Sequence, residues 1–195
     1  MKKIIIAFSV MAVIVITFLF ANNNTQLPKG WFPAGNKPSE YKMGIDYSTY
    51  HSGNASAYIK SKSPEGKEFG TLMQSIKAEN YLEKRLRLSG YIKCEDVEGW
   101  SGMWMRVDGE NNNQIGFDNM QNRPIKGTTD WKKYEIVLDI PSDSKSINYG
   151  VLLSGDGKVW FDDFRLEEVD DNVPVTNIMS EKTIPDKPVN MDFEE

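Results

Sequence analysis

At 195 residues, 39% hydrophobic and 11% aromatic, the chain has material for one folded core. Its net charge of −5 argues against a nucleic-acid partner, because phosphate binding needs a basic face. One cysteine, Cys94, and one histidine, His51, exclude an internal disulfide and a cysteine-rich zinc site and leave little for imidazole chemistry.

The chain opens with Lys2 and Lys3, followed by an unbroken apolar run from Ile4 to Ala21. That run is longer than the roughly 7–15 residues of a secretory signal core and falls in the range that spans a bilayer. Residues 1–21 therefore read as a signal peptide or a membrane anchor, and 22–27 as a spacer. The lysines before the run predict that the bulk of the chain faces away from the cytoplasm. The domain is thus expected to be exported. It would be anchored at the outer face of the cell membrane through residues 4–21, or secreted after cleavage. No cysteine directly follows the run, which excludes a lipoprotein anchor.

Residues 28–169 read as strand, turn, strand, with no convincing helix. SAYIKS follows the turn HSGN, and FGTLMQSIKA alternates with Leu72, Gln74 and Ile76 on one side. NYLEK reads as a turn or a single helical turn. KRLRLSGYIKCED then places Leu86, Leu88, Ile92 and Cys94 on one face and Arg87, Ser89, Tyr91 and Lys93 on the other. That register points the Cys94 thiol into the core, where it serves as a small hydrophobe rather than a nucleophile. GMWMRVDG, QIGFDNM, KKYEIVLDIP, SINYGVLLSG and KVWFDDFRLEEV complete about eight short strands. Asp-Gly, Ser-Gly and Gly-Asp pairs punctuate them, and the pattern predicts an all-β antiparallel sandwich or barrel. Residues 170–187 carry prolines and acids without a period and read as a linker. Residues 188–195, PVNMDFEE, return to alternation, with Val189, Met191 and Phe193 on one side.

Four pieces carry a resemblance: HSGNASAYI, GTLMQSIKAENYLEKRLRLSGYIK, TTDWKKYEIVLDIP and VWFDDFRLEEV. In this order and spacing they resemble the jelly-roll, galactose-binding-like superfamily of carbohydrate-binding modules, of the family 4/9/22 type, over residues 30–169. The stretch WSGMWMRVDGENNNQIGFDNMQNRPI departs from standard members and is similar to a bacterial subgroup of undefined ligand. The resemblance implies a jelly-roll β-sandwich whose concave sheet binds a glycan.

Alternation in GMWMRVDG turns Met103, Met105 and Val107 inward and Trp104 and Arg106 outward. In QIGFDNM it turns Ile115 and Phe117 inward and Asp118 outward. A hairpin between the two predicts Trp104, Arg106 and Asp118 on one exposed face, with Tyr91, Lys93 and Arg87 nearby and Met120, Gln121 and Arg123 as a rim. An indole flanked by a guanidinium and a carboxylate suits a sugar ring. The competing expectation is an ordinary Arg106–Asp118 ion pair beside a covered Trp104. The acids Glu95, Asp96, Glu98, Asp108, Glu110 and Asp118 sit mostly in turns with no nucleophile motif among them, so catalysis is not expected.

The resemblance also implies a structural Ca²⁺ between the first turn and the closing strand, with Asp163 turned inward and Glu194 arriving from the tail. It further implies an opening strand like N-x-x-F-E, which is missing before Leu27-Pro28-Lys29-Gly30-Trp31 but present as Asn190, Phe193 and Glu194. The expectation is a circular permutation in which residues 188–195 return as the first strand. The expected function is a non-catalytic exported module binding a glycan or cell-wall polysaccharide. The alternatives are a membrane-tethered adhesion or sensor domain that binds another protein, and a glycan-active enzyme.

Overall fold

The computed structural model describes residues 26–62, 68–179 and 190–191. Nine antiparallel strands follow in order: β1 (Phe32–Gly35), β2 (Tyr41–Asp46), β3 (Ser56–Ser61), β4 (Phe69–Lys77), β5 (Lys84–Asp108), β6 (Gln114–Asp118), β7 (Ile125–Ile140), β8 (Ser146–Ser154) and β9 (Lys158–Val169). No α-helix occurs among the described residues, and so none there is long and apolar enough to cross a membrane. The anchor or signal expected at 1–21 lies outside the described residues.

The two stretches KRLRLSGYIKCED and GMWMRVDG, read as separate strands, are one 25-residue strand, β5. Register shifts at Ile92/Cys94, Cys94/Val97 and Val97/Ser101 bend it, as bulges do. Its first half lies between β7 and β9, and its second half pairs with β8 and β6. The strand therefore belongs to two layers, β2-β3-β9-β5-β7 and β1-β4-β8-β5-β6, whose inner faces enclose the core. Leu72, Leu88, Ile92, Met103, Met105 and Val151 are all buried there, each contributing roughly 1.5–3 kcal/mol of transfer free energy. Cys94 faces this core as expected, and burial pushes its thiol up to about 11. Trp31 closes one end of the core against Tyr149, Phe161 and Phe164.

Three expectations are corrected by these strands and the tail. First, the register pairs Arg106 with Phe117 and Met105 with Asp118, so Phe117 and Asp118 are inverted relative to the prediction, while Ile115, beyond a register shift, packs against the core as expected. Gly116, not Phe117, lies under Val107 and Leu138, whose side chains occupy the space a Cβ would narrow. Second, β9 bulges at Asp163, which takes φ +53°, and the inward alternation resumes at Phe164, packed on Gly90. Asp163 therefore does not point into the core. Third, residues 170–179 are irregular but fastened, not a free linker. Arg85 donates to Asp171 O and, at 2.8 Å, to Val173 O; Thr176 N donates to Val137 O at 2.8 Å, and Ile178 N to Phe117 O at 2.9 Å. This segment covers the outer edges of β7 and β6, which would otherwise invite pairing. Within 188–195, Asn190 and Met191 belong to no strand and Met191 is 74% exposed, so Met191 does not fill the core. Val189, Phe193 and Glu194 lie outside the described residues, as do 180–187.

Candidate functional site

The outer face of the β1-β4-β8-β5-β6 layer carries a second, smaller hydrophobic cluster, Met73, Trp104 and Leu152, with Phe69, Trp100 and Phe117 packed around it. Its rows follow from the strand registers. Phe32, Met73, Gly150 and Trp104 lie side by side across four strands, and Ser75, Asn148, Arg106 and Phe117 form the adjacent row. Trp104 is outward by alternation, as predicted, yet it is only 8% exposed. Its Nε1 donates to Thr71 Oγ1 at 2.7 Å, two strands away, so the indole crosses β8 near Gly150. At strand spacings of roughly 4.8 Å this crossing is about the length of an indole. The ring therefore lies along the sheet as a floor rather than standing up as a platform.

A groove of about 350 Å³ lies over this floor, lined by Ala34, Phe69, Met73, Trp104, Arg106, Phe117, Asn119 and Leu152 among others. Arg106 donates through Nε (3.1 Å) and Nη2 (2.7 Å) to Asp108 Oδ2, which also accepts from Asn148 Nδ2 at 2.8 Å. Asn148 Oδ1 in turn accepts from Ser75 Oγ. The groove thus combines an apolar floor, two phenyl walls and a polar end held by a hydrogen-bonded row.

Of the six residues predicted to bind ligand, the structure brings only Trp104 and Arg106 together here. Asp118 is fully buried on the core side, where it accepts from Arg123 Nη2 at 2.6 Å and Nη1 at 3.1 Å and from Met120 N at 2.8 Å. Arg123 is spent on that pair and on Glu135 O, and Gln121 is an exposed turn residue outside the groove lining. Tyr91 belongs to the opposite layer, where it stacks on His51 at 3.6 Å, with Trp131 edge-on to the same imidazole. Met73, Leu152, Phe69, Phe117 and Asn119 were not foreseen. A signal existed for the first two: TLM and VLL are apolar at consecutive positions, which marks strands buried on both faces.

Asp163, one of the two residues expected to hold a cation, meets the HSGN turn and is already hydrogen-bonded there. Asp163 Oδ2 faces His51 Nδ1 at 2.7 Å and its Oδ1 accepts from Ser52 Oγ at 2.8 Å. Asp162 Oδ2 accepts from His51 N and Ser52 N. The hydrogen bonds from His51, then Ser52, hold the Asp163 carboxyl below its usual range. Among the described residues no group of three His, Cys, Asp or Glu side chains is placed to hold a metal ion, so this donor set does not by itself fit Ca²⁺; Glu194 lies outside the described residues.

No protein-family model matches the chain. The uncharacterized HTH-type transcriptional regulator YbfP of Bacillus subtilis (strain 168) is 49% identical over 168 residues, a match covering 86% of this chain and 57% of YbfP. The chain thus spans a little over half the length of that relative. Among solved structures, the CBM22-1 xylan-binding domain of Paenibacillus barcinonensis Xyn10C superposes with a TM-score of 0.54 at 15% identity, covering 74% of this chain and 88% of that one. The enzymatically active domain of bacteriophage CBA120 tailspike protein 4 gives 0.57 at 10% identity over 72% of this chain and 20% of that one. The C-terminal family 22 carbohydrate-binding module of Clostridium thermocellum Xyn10B gives 0.50 at 14% identity over 72% and 86%. At such identities the likeness is one of fold. The chain has the antiparallel jelly-roll fold found in carbohydrate-binding modules.

Proposed function

We propose that this chain is a non-catalytic binding module whose groove takes a carbohydrate. The observation that carries the reading is the groove itself: an apolar floor built on one sheet face, aromatic walls, and a guanidinium held at one end. Sugars present an apolar ring face and a polar rim, which suits such a surface. A xylan-binding domain is among the proteins sharing the fold. The non-catalytic reading is supported by the state of the nearby carboxylates, since Asp108 and Asp118 are each tied to an arginine. Calorimetric titration with xylan, galactan and cell-wall oligosaccharides, with reducing-end release measured on the same panel, tests both points. The expected result is binding without release, weakened at least tenfold by Phe117→Ala. Failure of every saccharide to bind would overturn the reading.

A second reading rests on the YbfP match: a sensor module whose ligand informs an attached regulatory part. It is tested by whether the matching region of YbfP binds the same ligand. Export rests on the apolar run 4–21 and its preceding lysines, and membrane fractionation tests it. A cation at Asp163 would need Glu194 as a further ligand and would replace contacts now made by His51 and Ser52; melting with and without EDTA tests it. A returning strand 188–195 is supported by β9, which β3 leaves beyond Phe161, and by a 250 Å³ cleft there that includes Trp31, Ile45 and Phe164. The exposed Met191 weighs against it, and deletion of 188–195 decides it by the change in melting temperature.

A further inference from the structure

The hydrogen-bonding capacity left in the groove is weighted toward donors. Three polar side chains line it. Thr71 is buried and its hydroxyl is engaged, donating to Val151 O at 2.7 Å and accepting from Trp104 Nε1. Asn119 accepts from Gln121 N at 3.1 Å through Oδ1, and its Nδ2 keeps both N–H groups to donate. Arg106, with 40% of its side chain exposed, uses Nε and Nη2 on Asp108, which leaves Nη1, again a donor. The acid behind it offers nothing to the groove. Asp108 has a buried side chain, its Oδ2 is shared by Arg106 and Asn148, and its Oδ1 is out of reach of solvent.

A neutral sugar edge consists of hydroxyls, each of which brings a proton that needs an acceptor as well as lone pairs that need donors. A site built for such an edge supplies both. A carboxylate brings acceptors only, and its pairing with a guanidinium is among the strongest available hydrogen-bonded contacts. Asp108 matters here as a positioning residue. It grips one edge of the Arg106 guanidinium and so aims the opposite nitrogen, at a cost in local charge that makes geometry rather than net field the selecting feature.

Resting on the carbohydrate reading, we propose that the groove selects a saccharide unit that bears a carboxylate, of the uronic acid class. The sugar ring lies on the floor of Trp104, Met73 and Leu152, and its carboxylate meets Arg106 Nη1 and Asn119 Nδ2. The Phe117 ring, opposite Arg106 in register, closes the outer side.

The experiment compares one ligand in two charge states. Trigalacturonic acid and its fully methyl-esterified form are titrated into the whole chain, with dissociation constants from calorimetry and the Trp104 indole N–H followed by NMR. The expected result is at least tenfold tighter binding of the acid, with Arg106→Gln abolishing the difference and Arg106→Lys restoring part of it. The acid–ester comparison on the unmodified chain stands even if Arg106→Gln misfolds. Equal affinity for acid and ester would overturn the carboxylate proposal while leaving the carbohydrate reading intact. Failure of both to bind or to shift the Trp104 signal would overturn the uronic acid proposal, while the carbohydrate reading would fall only if the neutral xylan and galactan panel also failed to bind. Monomeric galacturonic acid as a third arm separates the sources. Affinity equal to the trimer assigns a free sugar acid, and weaker binding assigns a polymer.

Discussion

The two outer faces of the sandwich share the strand β5 and end in opposite states. Along its first half, the outward residues belong to a face of mutually satisfied charges: Arg85 on Asp139 at 2.6 Å, Arg87 on Glu167 at 2.8 Å, Lys93 on Asp130 at 3.0 Å. The same face carries Lys158 between Asp46, at 3.1 Å, and the rings of Trp160 and Tyr58. Along its second half, the outward residues are Trp104 and Arg106, set among Met73, Leu152 and Phe117. The first face pairs most of its central charges with one another. The second keeps an apolar floor and unspent donors, and so retains binding free energy for a ligand. A strand can thus carry the same alternation throughout while its partners decide whether the outward row is inert or receptive.

The largest effect expected from breaking this contrast is Trp104→Ala. Because the indole is buried and hydrogen-bonded, its removal should cost about 3–5 kcal/mol of stability in urea unfolding, as a core residue would. A loss below 1 kcal/mol would mean that the groove face is a surface platform after all. Arg123→Ala comes next, leaving the fully buried Asp118 carboxylate without its partner, at a cost of about 3 kcal/mol at neutral pH. Asp118→Asn made together with Arg123→Ala should recover part of that loss.

On the charged face, Asp46→Asn should cost about 2 kcal/mol, because Lys158 and the Trp160 indole lose their acceptor. Burial alone would raise the Asp46 carboxyl, but hydrogen bonds from Ser48, Trp160 and Lys158 together outweigh it and hold the group well below its ordinary range. A carboxyl whose folded value is depressed stabilises above its unfolded value, near 4, and loses that contribution as pH falls further. The melting temperature of the unmodified chain should therefore drop more steeply below about pH 4 than that of Asp46→Asn. Parallel profiles would remove Asp46 as a contributor. The smallest effect is Arg87→Gln, expected to cost no more than about 1 kcal/mol, since its pairs with Glu167 and Glu135 are solvent-accessible.

Much of the fold was legible because a half-buried strand advertises itself through alternation. Leu86, Leu88, Ile92 and Cys94 face the core as their parity demands, and so do Met103, Met105 and Val107. The outward direction of Trp104 and Arg106 was legible for the same reason. The burial of Trp104 was not, because it depends on β4, which lies 33 residues away in sequence and supplies Thr71. Nor was the side on which Phe117 falls. QIGFD has apolar residues on one parity and Gly116 with Asp118 on the other, and alternation favours the apolar set inward. Phe117 and Asp118 take the reverse sides because Asp118 finds Arg123 as a buried partner and Phe117 joins Trp104, Met73 and Leu152 on the outer face.

By itself, the sequence determined the parity of most strands, the inward cysteine, the turns, and the antiparallel class, because each depends on residues within a few positions of one another. The tertiary structure decided that two predicted strands are one bent strand shared by both layers, since a bulge shows itself only against its partners. It also decided that Tyr91 and Trp104 lie on opposite sides of the molecule, and that Asp163 and His51 satisfy each other. Those outcomes turn on which distant strands become neighbours, and local alternation carries no information about neighbours.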